Sequence, residues 1–198
     1  MRFATWAVAA LLFLAAWRLY SQRDIERPAG MVAASEPRQQ LIEVAPGVEH
    51  DGFLLRPRAE LSATVRILAR KDYSAGDLAA LVPTDFAVGW GPMSDSANLR
   101  GIQIQQRDRF YYWRTETWPL SREVIQTHSA NWHVIAGSEA VGRVLGALQV
   151  GSVVELRGQL VDVEGATGNR MTSLSRGDTG AGACEILLAS SARIVEPH

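Results

Sequence analysis

One cysteine, Cys184, is the only thiol in these 198 residues, so no internal disulfide can form and the fold must be held by its core. Lysine is just as scarce. Lys71 is the sole example, and arginine carries the rest of the positive charge, which reads first as genome composition. The net charge of -1 excludes a nucleic-acid binder held by a general positive field, because phosphate affinity rests on many cationic contacts, and no nucleic acid is expected as a partner. Also missing are a C-x-x-C pair, an H-x-x-x-H helix pair, a glycine-rich phosphate loop and a nucleophile elbow. No metal and no cofactor is therefore expected.

What is present begins with an apolar run. Phe3 to Trp17 is interrupted only by Thr5, and Arg18 can snorkel so that Leu19 and Tyr20 extend the span. Ala-Ala-Trp and Leu-Tyr-Ser match a cleavage site poorly, so residues 1–20 read as a signal anchor rather than a removed leader. Arg18, Arg23 and Arg27 on its far side lean against export by the positive-inside rule, whereas the signal-like layout favours it. The expectation is a single-pass inner-membrane protein with a periplasmic domain. Residues 21–40 turn polar, with Pro28, Gly30 and Pro37, and read as a linker.

Residues 41–198 read as one β-rich domain. Gly52 to Arg56 and Leu61 to Arg70 predict two strands broken by a turn at Pro57, and Ala63, Val65 and Ile67 share a face of the second. Asp77 to Leu81 is at most a short helix. Thr84 to Met93 is expected as an ordered loop because of its glycines and proline. Ile102 to Gln106 and Arg109 to Arg114 predict a hairpin turning at Arg107-Asp108; its aromatics between arginines could stack bases, but suit any strand covered on both faces. Ser121 caps a short helix through Gln126, and Ser138 caps a longer one carrying Val141, Val144, Leu145 and Leu148. In Val153 to Val163 the apolar parity changes around Gly158, which calls for a bulge or bend there. A return strand from Arg170 to Ser175, a loop from Arg176 to Gly182 and a last strand from Cys184 to Leu188 follow. The predicted class is mainly β (α+β), a curled sheet or small OB-like barrel with two or three short helices behind one transmembrane helix.

Several phrases carry a family likeness: Ala69 to Tyr73, Leu81 to Asp95, Phe110 to Trp113, His128-Ser129-Ala130-Asn131-Trp132-His133, and Asp178 to Glu185. Together they resemble a family of small bacterial proteins with an amino-terminal membrane anchor, to which no activity is assigned. The resemblance spans nearly the whole chain. It implies an architecture and no reaction.

The candidate site residues lie in those phrases. Asp178-Thr179-Gly180-Ala181 is similar to the tripeptide of retroviral-type aspartic proteases, but Ser175, Arg176 and Gly177 replace the apolar strand that should precede it, and a tight loop explains it better. His128 and His133, with Cys184 and Asp178, supply residue types that bind zinc, without its spacing. Cys184 could equally serve as a nucleophile beside a histidine base. His128, Asn131 and His133 flank one strand entry, and Asp178, Cys184 and Glu185 another. If those strands are neighbours, a pocket floored by Cys184 and rimmed by Asp178 and His128 is expected, with an imidazole near a carboxylate and Trp90 as a further binding residue. Replacing His128 or Asp178 by alanine should then cost function and little stability. The expected function is a membrane-tethered binding or interaction module of the bacterial cell envelope, with an unknown protein or small-molecule partner. The alternative is a hydrolase or metal-dependent enzyme using the His128/His133 and Asp178/Cys184 loops.

Overall fold

The computed structural model describes Trp6 and residues 23–76, 78–166, 168–178, 180 and 182–196. The expected anchor lies outside them apart from Trp6, and among the described residues no helix is long and apolar enough to cross a membrane. Two short strands, β1 (Arg38–Leu41) and β2 (Val48–His50), flank the long strand β3 (Phe53–Asp72). Next come β4 (Thr84–Gly89), a 3-10 turn at Gly91–Ser94, α1 (Ser96–Leu99), the hairpin β5 (Ile102–Arg107) and β6 (Phe110–Thr115), and α2 (Arg122–Thr127). The chain continues through β7 (Ser129–Ala136), α3 (Glu139–Ala147), β8 (Val153–Gly165), β9 (Gly168–Arg170) and β10 (Glu185–Val195).

The main sheet is curled until it closes. Around the ring, β3 pairs with β4, β4 with β7, β7 with β10, β10 with β8, and β8 again with β3; only the β7/β10 pair is parallel. Closure removes exposed edges from these five strands. The interior is filled by side chains of alternating parity, among them Val65, Phe86, Trp132, Leu156 and Leu187. Helix α3 adds Val141 and Leu145 to this core and its C-cap residue adds Leu148, while its N-cap is the expected one, Ser138 Oγ accepting from the Val141 N–H at 3.3 Å. Ser121 does the same for α2, through Val124 N–H.

Three local expectations need correction. The first concerns Pro57, which does not divide β3 into two strands. Pro57 faces Val161 and Ala59 faces Leu160, so Arg58 is an extra residue, and the missing proline N–H is absorbed at this bulge. The second concerns Thr84–Gly89, expected within a loop but forming a fully paired strand; Phe86 and Val88 enter the core, and the turn-forming Gly91 and Pro92 come only after it.

The third concerns β8, which has no bulge of its own at Gly158. The extra residues lie in its neighbours, Arg58 in β3 and Ser190 in β10. Leu160 faces the interior while Val161 and Val163 belong to a second apolar layer with Leu55, Val82, Ile135 and Ile186. Two buried faces therefore imitate a change of parity. Further differences are smaller: Arg170 ends β9 rather than beginning a strand, β10 starts at Glu185 and runs to Val195, and Leu78–Leu81 is a turn, Asp77 being outside the described residues.

Within the stretch expected as a linker, residues 25–33 lie along the barrel. Ile25 N–H donates to Val150 O at 2.7 Å, Arg27 Nε to Gly151 O at 2.6 Å, and Ala33 N–H to Ser94 Oγ at 3.1 Å. Arg38–Leu41 then pairs as β1.

Candidate functional site

The outer faces of β4 and β7 carry the polar residues. On β7, Ala130, Trp132 and Val134 fill the core, so Ser129, Asn131 and His133 project from the opposite face; on β4, Phe86 and Val88 place Asp85 there by the same alternation. Asp85 and His133 are register partners. The Asp85 side chain is fully buried, and its Oδ1 accepts from Arg109 Nη1 at 2.8 Å and lies 2.8 Å from His133 Nδ1. Oδ2 has no hydrogen-bond partner of ordinary geometry among the described residues. A buried carboxylate is tolerable only with such partners.

Arg109 comes from the hairpin turn. The turn falls on Asp108 and Arg109, one residue later than the sequence suggests, with φ of 53° and 68°. Two successive positive φ values are the pattern of a type I′ hairpin, unusual without glycine or asparagine and strained for a long side chain. The strain is held by contacts on every side: Arg109 N–H donates to the Tyr73 hydroxyl at 3.1 Å, the guanidinium lies 3.8 Å from the Tyr73 ring centroid, and the carbonyl accepts from Asn131 Nδ2 at 2.9 Å. Gln106 Nε2 holds the Asn131 Oδ1 at 2.6 Å.

Cys184 sits on the other side of His133, just before β10 pairs in parallel with β7. Its sulfur is 3.7 Å from the Arg109 carbonyl oxygen and 3.8 Å from Asn131 Nδ2. With Nδ1 engaged by Asp85, the imidazole nitrogen left for the sulfur is Nε2. No hydrogen bond of ordinary geometry joins them among the described residues. Burial, the largest influence, disfavours the imidazolium, but hydrogen bonding and charge from Asp85 and Cys184 outweigh it and raise the His133 pKa from 6.5 to about 9.

Glu185, the next residue, faces Trp132 in register and is buried to 2 % side-chain exposure. Arg176 Nη1 reaches its Oε1 at 2.8 Å, and the same guanidinium lies 5.7 Å from the Trp90 ring centroid. Glu185 Oε2 and the Trp132 indole N–H both lack a hydrogen-bond partner of ordinary geometry. Burial pushes the Glu185 carboxyl up to about 7, against the opposing influence of Arg176, its own backbone N–H and the Trp132 indole.

Above these residues opens a cavity of about 440 Å³, between the β5/β6 hairpin and the loop that leads into β10. Trp90, Tyr111, Trp113 and Trp118 give it an aromatic lining, to which Cys184 and Glu185 also contribute. Trp113 and Trp118 meet edge to face with centroids 6.1 Å apart. Arg122 lies across both, 5.6 and 5.7 Å from the ring centroids, and forms no ion pair among the described residues. Burial raises the Tyr111 phenol, whose hydroxyl is 3.3 Å from Ser129 O.

Of the expected pocket residues, Asp178, Cys184, Glu185, Asn131 and Trp90 line this cavity. His128 does not. It ends α2, its Nδ1 lies 3.0 Å from both Val124 O and Thr127 Oγ1, and its ring packs against Gly91 and Trp90. Asp178 is bound into its own loop, accepting from Ser173 Oγ at 2.6 Å. The imidazole beside a carboxylate is present, but His133 and Asp85 make it. Asp85 and Arg109 were not identified from the sequence, and the one available signal was a lone charge inside an apolar strand phrase. Among the described residues no three His, Cys, Asp or Glu side chains are grouped so as to hold a metal ion. Comparison of the chain with protein-family models, curated proteins and solved structures finds no match.

Proposed function

We propose that this chain is a membrane-tethered binding module of the bacterial cell envelope, whose cavity takes a small molecule with a planar group and an anionic group. The observation that carries the reading is Arg122, an arginine without an ion-pair partner among the described residues, laid over two tryptophans in the lining of an aromatic-walled cavity. Flat rings offer a stacking surface at low entropic cost, and a guanidinium favours carboxylate, sulfonate or phosphate oxygens. Arg114 and Arg176, by contrast, already face Glu116 and Glu185.

The architecture supports the same place. A five-stranded ring with one parallel pair, and a helix between its third and fourth strands, resembles the OB-like barrel, in which strands two and three and the adjoining loops receive the ligand. In this chain those strands are β4 and β7, and the loop is the one before β10. This is analogy of fold, and the side chains carry the claim.

Titration with 8-anilinonaphthalene-1-sulfonate, a planar anion, followed by tryptophan fluorescence and by the rise in unfolding temperature, tests the reading. Saturable binding is expected, weakened about tenfold or more in Arg122→Gln because one charge-assisted contact is lost. Equal binding by wild type, Arg122→Gln and Trp113→Ala would sink it.

A further inference from the structure

We propose that the free edge of β6 takes up the carboxyl-terminal end of an extended peptide as an added strand, with an aromatic last residue in the cavity and its carboxylate on Arg122. All six residues of β6, Phe110 to Thr115, line the cavity. A strand that turns one face to a space lines it with every second residue, so lining by both parities means that β6 meets the cavity edge-on. Which backbone groups it offers there follows from the hairpin. A two-residue turn is closed by a hydrogen-bonded pair, here Arg107 and Phe110, so the bonds to β5 fall on Phe110, Tyr112 and Arg114. Tyr111, Trp113 and Thr115 turn their N–H and C=O groups the other way. On that side β6 has no strand neighbour, and these groups have no hydrogen-bond partner among the described residues.

Free edges are commonly blunted by proline, lysine or a bulge, and β6 carries none of these. Its sequence, Phe-Tyr-Tyr-Trp-Arg-Thr, is instead rich in strand formers. A row of donors and acceptors repeating every second residue is matched by the main chain of another strand, which is how extended peptides are held on sheet edges. The direction and the end group follow from Arg122. Its guanidinium lies 5.6 Å from the Trp113 ring centroid and 5.7 Å from that of Trp118, a residue beyond the end of β6 at Thr115. A strand running parallel to β6 therefore brings its carboxyl end to this guanidinium, which forms no ion pair among the described residues, and its last ring to the indoles. The inference rests on the cavity reading above, in which a planar and an anionic group are bound together; a carboxyl-terminal aromatic residue supplies both.

The probe is the peptide acetyl-Thr-Val-Thr-Val-Phe with a free carboxyl end, added to the full chain and followed by tryptophan fluorescence. Saturable binding is expected, at least about tenfold tighter than that of N-acetylphenylalanine, which has the ring and the carboxylate but no strand. Methylating the peptide amides one at a time should weaken binding about tenfold at alternate positions, those whose N–H faces β6, and leave the positions between them nearly unchanged. Amidating the carboxyl end should cost the wild type about tenfold and Arg122→Gln almost nothing. N-acetylphenylalanine binding as tightly as the peptide, or methylation losses that do not alternate, overturns the added strand. Acid and amide forms that bind the wild type alike overturn the carboxyl end. A chain that binds the sulfonate probe through Arg122 yet ignores the peptide sinks this inference alone, whereas one that binds neither sinks the cavity reading with it.

Discussion

A carboxylate buried in a barrel wall costs several kcal/mol unless other charges face it, and Asp85 is faced by two, Arg109 and His133. The balance between them depends on pH. His133 is held charged up to about pH 9 in the folded chain but only to about 6.5 when unfolded. Its contribution is therefore whole below pH 6.5 and is lost as pH rises through about 9, an effect on the order of 3 kcal/mol. Glu185 acts in the same direction at lower pH: its folded pKa of about 7, above the ordinary 4.5, means that ionising it in the range between weakens the fold. Urea midpoints should fall from about pH 5 to about pH 9.5, and His133→Gln should remove the upper part of that fall. A midpoint that rises across this range would contradict the Asp85–His133 assignment. His128→Ala should cost roughly 1 kcal/mol by freeing the end of α2, without altering binding, because the ring serves Val124, Thr127 and Gly91. Asn131, Asp178, Cys184 and Glu185 could be singled out from sequence because they cluster at strand entries. Asp85 and Arg109 could not, since their value comes from partners 48 and 24 residues away.

At the level of elements, serine caps and helical spacing are local signals, and α2 and α3 begin where those signals put them. Strand continuity is not local. Whether Pro57 ends β3 or bulges within it depends on β8 offering Val161 and Leu160 across from it, and β4 exists because β3 and β7 stand on either side. The same dependence gives glycine opposite meanings in two elements. A side chain on Gly158 would collide with the Leu188 carbonyl oxygen, where the bulged β10 crosses closely, whereas one on Gly146 of α3 would meet nothing within 4 Å. Gly158→Ala should therefore cost about 3 kcal/mol, and Gly146→Ala should gain about 0.5 to 1 kcal/mol from helix propensity. Thermal unfolding of the two variants, followed by circular dichroism, checks both signs at once. Leu156→Ala, deep in the barrel, should cost about 2 to 5 kcal/mol.

For the whole molecule, the segment before β2 is part of the folded body. Besides Ile25, Arg27 and Ala33, Gly30 N–H donates to Asp95 Oδ1 at 2.8 Å, and Gly91 N–H to Ala33 O at 2.7 Å. At roughly 1 kcal/mol net for each hydrogen bond, a chain beginning at Glu43 should unfold several kcal/mol more readily. Unchanged stability would restore the view of this segment as a free linker. There is a mechanical corollary. Ile25 is fastened to Val150, and the chain between residues 20 and 25 can reach at most roughly 18 Å. If the apolar run is the anchor proposed above, the barrel stands on a stalk no longer than that reach. Held in that way, the barrel cannot range far from the bilayer.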